Sequence, residues 1–379
     1  MINIKESDNC CGCFACLNIC PKKAIELEED KYGFKYPVVN KKKCINCGLC
    51  ERVCPIINKM IANPEGLKAY ACYNKNEEDR MNSSSGGIFS IIAKEIIKRK
   101  GIVFGASFDD KFYLRHIYID KEEDISKLMG SKYLQSYIGE SYKDVKSFLE
   151  KGKIVLFCGT PCQVEGLKRF LNKDYDNLYT QDIICHGVPS PLVWQKYLAY
   201  QEEKYNDKVK TVYFRNKDEG WTLYNMKIFF NKKIYSKHHS DDLFMKTFLK
   251  NTCLRDSCYN CRFKSKKRIS DFTIGDYWGI EKIHPDFKDE KGISLLVINT
   301  LKGKKLFNVI KDKIAYIETN LDNAIKYNSA MIESVKMDKY REDFFNNLNK
   351  MSFEKLVKKY TYHQSIFNRI LNKIKKNIH

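Results

Sequence analysis

Two short stretches near the start of the chain repeat one cysteine pattern. The first runs from Cys10 to Pro21 and the second from Cys44 to Pro55, and each follows C-x-x-C-x-x-C-x-x-x-C-P. Three thiolates on such a loop can reach three corners of one iron–sulfur cubane, while the cysteine before the proline ligates the other cluster. We therefore predict two [4Fe-4S] clusters, whose ligands are Cys10, Cys13, Cys16 and Cys54 for one, and Cys20, Cys44, Cys47 and Cys50 for the other.

Zinc is the alternative occupant of such thiols. Structural zinc usually pairs two short cysteine or histidine clips, whereas here three ligands crowd one loop and the pattern occurs twice. A disulfide framework is typical of short secreted chains, and this long chain begins with a polar stretch rather than an apolar leader. Cys11 is left over, and we expect it to be a small buried residue.

Composition sets the class of protein. The chain has 379 residues, 43% of them hydrophobic, and a formal net charge of +20. No apolar run is long enough to cross a bilayer, so we expect a cytoplasmic protein without a transmembrane segment. Its basic residues are dispersed, which argues against nucleic-acid binding and leaves an anionic membrane face, an acidic redox partner or an anionic cofactor as what the charge attracts.

The elements that must position these cysteines follow from periodicity. Alternating runs on either side of Gly33 predict a small hairpin between the duplicated loops, and residues 60–68 form a linker. Beyond it, strands at 69–73, 102–106, 153–157 and 178–184 alternate with helices at 88–96, 142–150 and 163–171, and antiparallel strands follow at 209–214 and 221–230. A helix at 241–250 and strands at 269–274 and 293–299 complete the pattern.

These elements predict a mixed α/β architecture. We expect a small two-cluster ferredoxin-like domain, then an α/β flavin-binding domain with a mixed sheet, then a helical C-terminal tail. The expected boundaries are 1–60 for the two-cluster domain, 67–150 and 151–325 for the two parts of the flavin-binding domain, and 326–379 for the tail. Residues 362–378 form a basic amphipathic helix, which either docks on the body or meets a membrane surface or partner.

Three further features could carry chemistry. Ser83–Gly87 enters a helix, so its backbone N–H groups could cradle a phosphate, although a plain serine N-cap has the same appearance. His186 ends a strand and could donate a proton to flavin or substrate, or could be a histidine satisfied by the backbone. The basic run from Arg262 to Arg268 is either a solvated surface or a docking site for an acidic partner, with Lys264, Lys266 and Lys267 as the steering charges.

The cysteines outside the two runs suggest another metal site. Cys258 and Cys261 have the spacing of a metal clip, and Cys162, Cys185 and Cys253 are candidates to complete it. Spacing alone leaves iron–sulfur, zinc and ordinary buried cysteines open.

Five segments resemble the beta-subunit family of coenzyme F420 hydrogenases and dehydrogenases. They are Ser83–Ser90, Gly130–Ser136, Gly159–Gln163, Cys185–Ser190 and Ser270–Gly279. The resemblance implies FAD binding, with a flavin pocket that includes Ser84, Ser85, Gly86, Gly87, Lys132, Gln135, Ser136, Gly159, Thr160 and Pro161. It also implies a third [4Fe-4S] cluster beside the flavin, held by Cys162, Cys185, Cys258 and Cys261, with Cys253 as the competing fourth ligand.

The function we expect is that of an iron–sulfur flavoprotein oxidoreductase. Electrons would pass between the clusters and FAD, with F420 or another two-electron small molecule at the flavin and His186 as the catalytic residue. The expected partner is a ferredoxin-like electron-transfer protein or a redox subunit, and homo-oligomerisation stays open. The alternatives are a non-catalytic electron-transfer subunit and a zinc-stabilised interaction protein.

Overall fold

The computed structural model describes residues 2, 9–62 and 67–361. Within them, thirteen strands follow one another as β1 (Ile25–Glu29), β2 (Lys35–Val39), β3 (Lys68–Asn74), β4 (Ile102–Phe108), β5 (Leu114–Ile119), β6 (Val155–Gly159), β7 (Leu178–Ile183), β8 (Val209–Asn216), β9 (Asn225–Phe230), β10 (Ile234–His238), β11 (Phe272–Asp276), β12 (Ser294–Ile298) and β13 (Ile314–Thr319).

Fifteen helices accompany these strands in the same residues. They are α1 (Ala15–Ile19), α2 (Leu49–Arg52), α3 (Glu77–Met81), α4 (Ile88–Lys98), α5 (Ile125–Leu128), α6 (Ser141–Glu150), α7 (Pro161–Leu171), α8 (Pro191–Tyr205), α9 (Leu243–Leu249), α10 (Asp256–Tyr259), α11 (Ile280–Ile283), α12 (Leu301–Ile310), α13 (Leu321–Ile325), α14 (Arg341–Asn347) and α15 (Phe353–Thr361). None of the described helices is both long and apolar enough to cross a membrane.

An eight-stranded mixed sheet is the centre of the fold, which confirms the mixed α/β prediction. Its strand order is β13-β3-β12-β11-β7-β6-β4-β5. Strands β4, β6, β7 and β11 pair in parallel, whereas β12 is antiparallel to both β11 and β3. Strand β3 therefore points the same way as the parallel group, and the loops after all five strands meet at one edge, where ligands of open α/β sheets usually bind.

Helices cover both faces of this sheet. On one face α4 and α12 bury apolar side chains against β3 and β6, and on the other face α6 and α7 pack together with the N-terminal segment. All five residues of β12 are buried, as a strand covered on both faces must be. A separate three-stranded sheet, β10-β9-β8, packs with α8, α9 and α15 in a second core that is rich in aromatic rings.

The N-terminal segment folds as the predicted hairpin with a cysteine loop on each side. Strands β1 and β2 pair from Ile25↔Val39 to Glu29↔Lys35. One predicted strand starts later than expected, because the Trp221 amide donates to the Glu290 carbonyl and β9 begins only at Asn225. Part of the predicted linker, 63–66, and the predicted amphipathic helix at 362–378 lie outside the described residues.

Candidate functional site: three cysteine-lined cavities

The inner cavity, as we name it, is lined by Cys10, Cys13, Cys16 and Cys54 and encloses about 310 Å³. These are the four thiols that the sequence predicts for one cluster, and all four are buried. Helix α7 packs on the first cysteine loop, because a Cβ at Gly166 would lie 3.1 Å from the Cys13 Sγ. The cysteine loop therefore packs directly on the central domain.

The outer cavity is lined by Cys20, Cys44, Cys47 and Cys50 and encloses about 390 Å³. Here too the predicted ligand set comes together. Three backbone amides donate to its sulfurs: Ile2 to Cys50 at 3.3 Å, Ala24 to Cys20 at 3.2 Å and Asn46 to Cys44 at 3.5 Å. Cys47 is exposed and the other three are half-buried, so this cavity lies at the surface.

The third cavity encloses about 700 Å³ at the edge where the parallel strands end. Its lining includes Cys162, Cys185, Cys258 and Cys261. Cys162 lies in the first turn of α7, Cys185 follows β7, and the other two lie on and just after α10. Cys253 does not line the cavity, since it is fully buried elsewhere and its thiol donates to the Thr247 hydroxyl at 3.4 Å.

Within the described residues, no three His, Cys, Asp or Glu side chains converge on a point suited to one metal ion. The thiols stand instead around cavities, with one sulfur set to each. A [4Fe-4S] cubane spreads its cysteine ligands over separate iron corners, whereas a zinc ion draws four sulfurs to about 2.3 Å from one centre. The sulfur sets of the inner and outer cavities are the ones that the cysteine spacing predicts for two clusters.

The pKa values of several cysteine thiols in these cavities are raised by their surroundings. Burial raises the pKa of Cys16 and Cys54 in the inner cavity, and it raises the pKa of Cys185 in the third cavity to about 12. The ammonium of Lys264 opposes that rise at Cys185 by favouring the thiolate. Because thiolates are the metal-binding form, metal entry at such buried sites must release protons.

Cys11, which the sequence leaves unassigned, lies in the wall between two cavities. It lines both the inner and the third cavity. Its thiol interacts with Cys13 on one side and with Cys162 on the other, and both contacts affect the pKa of Cys11, which is raised. The sequence expectation of a buried thiol is correct, since 8% of the residue is exposed, but its place between two sulfur sets could not be predicted from spacing.

Arg255 and Gln135 join the cysteine loop to the central domain. The Arg255 guanidinium donates to the carbonyls of Cys10 at 2.7 Å and Lys35 at 3.1 Å, and to the Gln135 amide oxygen at 2.9 Å. The Gln135 amide nitrogen donates in turn to the Cys11 carbonyl at 3.1 Å. Arg255 is fully buried, and no carboxylate of the described residues forms an ion pair with it.

The predicted flavin residues divide into two groups. Gln135, Ser136, Thr160 and Pro161 line the third cavity beside the cysteines. Ser136 belongs to a buried network, since its hydroxyl bonds His116 Nδ1 at 2.9 Å and accepts from Gln163 Nε2 at 2.9 Å. Gly159 ends β6 just before Thr160, which caps α7 through a reciprocal bond pattern with Gln163.

The Ser-Gly-Gly loop forms the second group, next to the start of β12. The Gly86 amide donates to the Ser294 hydroxyl at 2.9 Å, and the Ser85 hydroxyl donates to the Ile293 carbonyl at 2.9 Å. A Cβ at Gly86 would lie 2.5 Å from the Cys72 carbonyl, so close packing already requires glycine here. Gly87 is the N-cap of α4 and provides no side-chain cap for the N–H groups of the first turn; phosphate binding by this loop stays a prediction.

Lys132 and Arg215 add cationic groups near that loop. The Ser84 hydroxyl accepts from the Ser131 amide at 2.6 Å, and Lys132 follows directly, where burial lowers its pKa to about 7. Arg215 pairs with Asp276 at the end of β11, yet its buried Nε and Nη2 atoms have no hydrogen-bond partner. Sequence reasoning missed Arg215, because an arginine in an antiparallel strand carries no motif.

His186 lines the third cavity but is already bonded. Its Nε2 and the Asn251 Oδ1 are 2.6 Å apart, and its ring meets Phe248 edge-on at 4.9 Å. Burial lowers its pKa. The bond partner is a side-chain amide rather than the backbone that the alternative interpretation named, and the catalytic role of His186 stays a prediction.

Several residues of the basic run bond to other parts of the protein. Lys264 donates to the carbonyls of Cys185 and Ala330, and Arg262 donates to the Ile56 carbonyl. Lys266 pairs with Asp322, although Lys267 is exposed. Lys264 lines the third cavity and bonds its wall, whereas Lys266 and Lys267 do not line it; docking of an acidic partner at these lysines stays a prediction.

Comparison with known proteins identifies the two parts of the chain. Residues 152–323 match the family that comprises the C-terminal region of the coenzyme F420 hydrogenase/dehydrogenase beta subunit. This part of the chain belongs to that family. Residues 9–56 match the 4Fe-4S dicluster domain, so the predicted resemblance and the two-cluster domain are confirmed at family level. Ser84 to Gly87 and Lys132 to Ser136 lie outside both spans.

Two curated proteins that the chain resembles are named as F420-linked. The chain is 24% identical over 322 residues to the coenzyme F420-dependent sulfite reductase of Methanocaldococcus jannaschii, covering 82% of this chain and 47% of the relative. It is 24% identical over 177 residues to one subunit of the F(420)H(2) dehydrogenase of Methanosarcina mazei, covering 43% of this chain and 49% of the relative. The chain thus spans about half the length of these relatives.

One solved structure has a partly similar shape. It is a chain of the F420-reducing [NiFe] hydrogenase complex from Methanosarcina barkeri, with 16% identity and a TM-score of 0.45 over 79% of this chain and 94% of that chain. The family and domain matches indicate an iron–sulfur protein of the oxidoreductase type that is related to F420-linked enzymes.

Proposed function

We propose that this protein is an iron–sulfur flavoprotein that connects an external one-electron partner to a two-electron substrate. The outer, inner and third cavities would each hold a [4Fe-4S] cluster, through the four cysteines that line each of them. A bound cluster exchanges single electrons, whereas a bound flavin accepts one or two and can deliver a hydride.

The observation that carries this proposal is the position of Cys11 in the wall shared by the inner and third cavities. Two thiol sets that touch through one residue are close enough to act in series. Arg255 and Gln135 fix that contact by bonding the carbonyls of Cys10 and Cys11. The residues of the wall therefore orient the N-terminal domain on the central domain.

The flavin belongs, in this proposal, at the edge where β3, β6, β7 and β11 end. Two kinds of group there suit an anionic cofactor: the uncapped first turn of α4, and the buried guanidinium of Arg215 with two unpartnered nitrogen atoms. Lys132 lies in the adjoining loop. We propose F420 as the two-electron substrate, because the named activities of two relatives are F420-linked; His186 would orient it from the third cavity.

A non-catalytic electron-transfer subunit is the second candidate. It is favoured by the internal bonds of the Ser-Gly-Gly loop, where Ser294 already satisfies the Gly86 amide. Such a subunit would hold clusters without flavin, and a zinc-stabilised protein would be colourless.

Purification without oxygen tests these hypotheses together. We expect a brown protein with about twelve irons and matching acid-labile sulfide per chain, plus one FAD, since three cubanes contribute four irons each. Clusters without flavin would leave the second candidate, and zinc without sulfide would overturn both.

Two alanine variants sharpen the assay for the third cavity. Cys258→Ala should lose about four irons per chain. Cys72→Ala is the matched control, because Cys72 is a fully buried cysteine in β3 outside all three cavities. Equal iron in the two variants would remove the third cluster from the proposal.

A further inference from the structure

The outer cavity is more exposed to solvent than the inner and third cavities. Cys47 is exposed, whereas every cysteine of the inner and third cavities is buried or half-buried. Ile45, two residues before it, is 57% exposed. An apolar side chain beside an accessible thiol set is typical of the centre of a protein contact.

Exposed lysines surround this point. Lys22 and Lys23 follow Cys20, and Lys41, Lys42 and Lys43 precede Cys44. Lys43 pairs with Glu26 at 3.2 Å, but no carboxylate of the described residues forms an ion pair with Lys22, Lys41 or Lys42. We call these five lysines and Ile45 the lysine face.

Of the acidic residues of β1, Glu26 pairs with Lys43 of the lysine face, whereas Glu28 and Glu29 lie farther from it. Ile25 and Val39, at one end of the hairpin, line the outer cavity. Glu28 and Glu29 are at the other end, where the turn packs on α8 through Gly33, whose Cβ would meet the Leu192 Cβ at 2.4 Å. The positive charge at the outer cavity is therefore only partly neutralised by the protein itself.

We propose that the lysine face is the docking surface for a small acidic electron-transfer protein of the ferredoxin type. This inference rests on the proposed function, because it assigns the outer cavity as the point of electron entry or exit. The sequence placed docking at Lys264, Lys266 and Lys267, but two of these cations are held by the Cys185 carbonyl and by Asp322. Unpaired lysines around an exposed thiol set attract an acidic partner over roughly 8 Å at physiological salt.

The test compares two triple charge reversals in the full chain with its clusters. One variant carries Lys22→Glu, Lys41→Glu and Lys42→Glu. The matched control carries Lys98→Glu, Lys304→Glu and Lys305→Glu, three exposed lysines of α4 and α12 on the opposite face of the sheet. Oxidised acidic two-cluster ferredoxin is titrated into each by calorimetry, and reduction by the reduced ferredoxin is followed by stopped flow.

The proposal predicts that the lysine-face variant weakens the Kd and the association rate at least about tenfold, and that the control stays within about twofold. For the wild type, raising NaCl from about 50 to about 300 mM should weaken association in the same direction. Equal loss in both variants, or association insensitive to salt, overturns the docking surface.

Iron content and reduction by dithionite separate this outcome from failure of the proposed function. A variant that keeps its iron and its dithionite reduction yet binds ferredoxin normally refutes the lysine face alone. A wild-type chain without iron–sulfur clusters refutes the proposed function, and calorimetry then reports on the surface by itself.

Discussion

The inner and outer cavities have the same cysteine motif and opposite environments. Each is lined by three cysteines of one loop and the fourth of the other, yet all four inner thiols are buried while Cys47 of the outer set is exposed. The difference comes from what packs on each loop. Helix α7, Gln135 and Arg255 cover the first loop, whereas exposed lysines flank the second.

This difference separates what a motif specifies from what the fold adds. Spacing determines which thiols can share a cluster, but reduction potential depends on burial, nearby charge and hydrogen bonds to sulfur. Backbone amides bond sulfurs of both sets, but the buried guanidinium of Arg255 would favour the more negative, reduced state of a cluster in the inner cavity, while solvent reaches the outer one. The two sites can therefore differ in potential although their ligands are alike.

Removal of Arg255 should have the largest effect on the difference between the inner and outer cavities. Arg255→Met leaves the Cys10 and Lys35 carbonyls and the Gln135 amide oxygen without their buried donor, which should lower the free energy of unfolding by about 3 kcal/mol or more. We expect iron to be lost from the inner and third cavities first. Anaerobic thermal unfolding and iron assays measure both effects.

Two further variants serve as comparisons for Arg255→Met. Arg255→Lys keeps the charge but not the planar donor fork, so a partial recovery of iron would separate charge from geometry. Arg115→Met breaks an exposed pair with Asp109 and should cost less than about 1 kcal/mol. If Arg255→Met matched Arg115→Met in stability and iron, the junction would not depend on the guanidinium.

Acid should lower the free energy of unfolding through protonation of the buried His116. Burial lowers the pKa of His116 from 6.5 to about 4. Between pH 6.5 and pH 4 the imidazole is therefore protonated in the unfolded chain and neutral in the folded chain. Stability from this residue is complete above pH 6.5 and is lost as the pH falls towards 4, by about 3 kcal/mol in total. Urea unfolding at pH 7 and pH 5 measures the loss.

His116→Gln provides the reference for that pH effect. The variant is less stable at pH 7, because the ring bonds the Cys158 carbonyl at 2.9 Å and stacks on Phe157 at 5.2 Å. Its stability should nevertheless change less between pH 7 and pH 5 than that of the wild type. An equal change in both proteins would assign the acid sensitivity to other groups.

Sequence reasoning succeeds here for many elements with local determinants, but it missed β5 and β10, which form short hairpins with β4 and β9. The hairpin between the cysteine loops, the helix–strand alternation and the two thiol sets follow from periodicity and spacing, and β1, α4 and β6 lie within three residues of where they were predicted. Neither β13 nor α8 was predicted. Strand β13 alternates buried and exposed residues beside a charged end, and α8 carries its aromatic residues on several sides.

The parts that escaped prediction depend on tertiary contacts. Gln135 was assigned to a flavin pocket, but its amide bonds the Cys11 carbonyl across 124 positions of sequence. Arg255 bonds Cys10 across 245 positions. No local pattern encodes a side chain that acts between two domains, and the role of Cys11 as a shared wall has the same origin.

Cys253→Ala should have the smallest effect on stability and iron content. It tests whether Cys253 belongs to the ligand set of the third cavity. The sequence left Cys253 as a rival ligand, but it packs in the aromatic core with its thiol on Thr247. Its loss should cost about 1 kcal/mol of stability through one small buried group and leave the iron content unchanged. Cys162→Ala, by contrast, should lose about four irons. If Cys253→Ala lost the iron and Cys162→Ala kept it, the fourth ligand would come from the core, and Cys162 with Cys11 would be free thiols between the cavities.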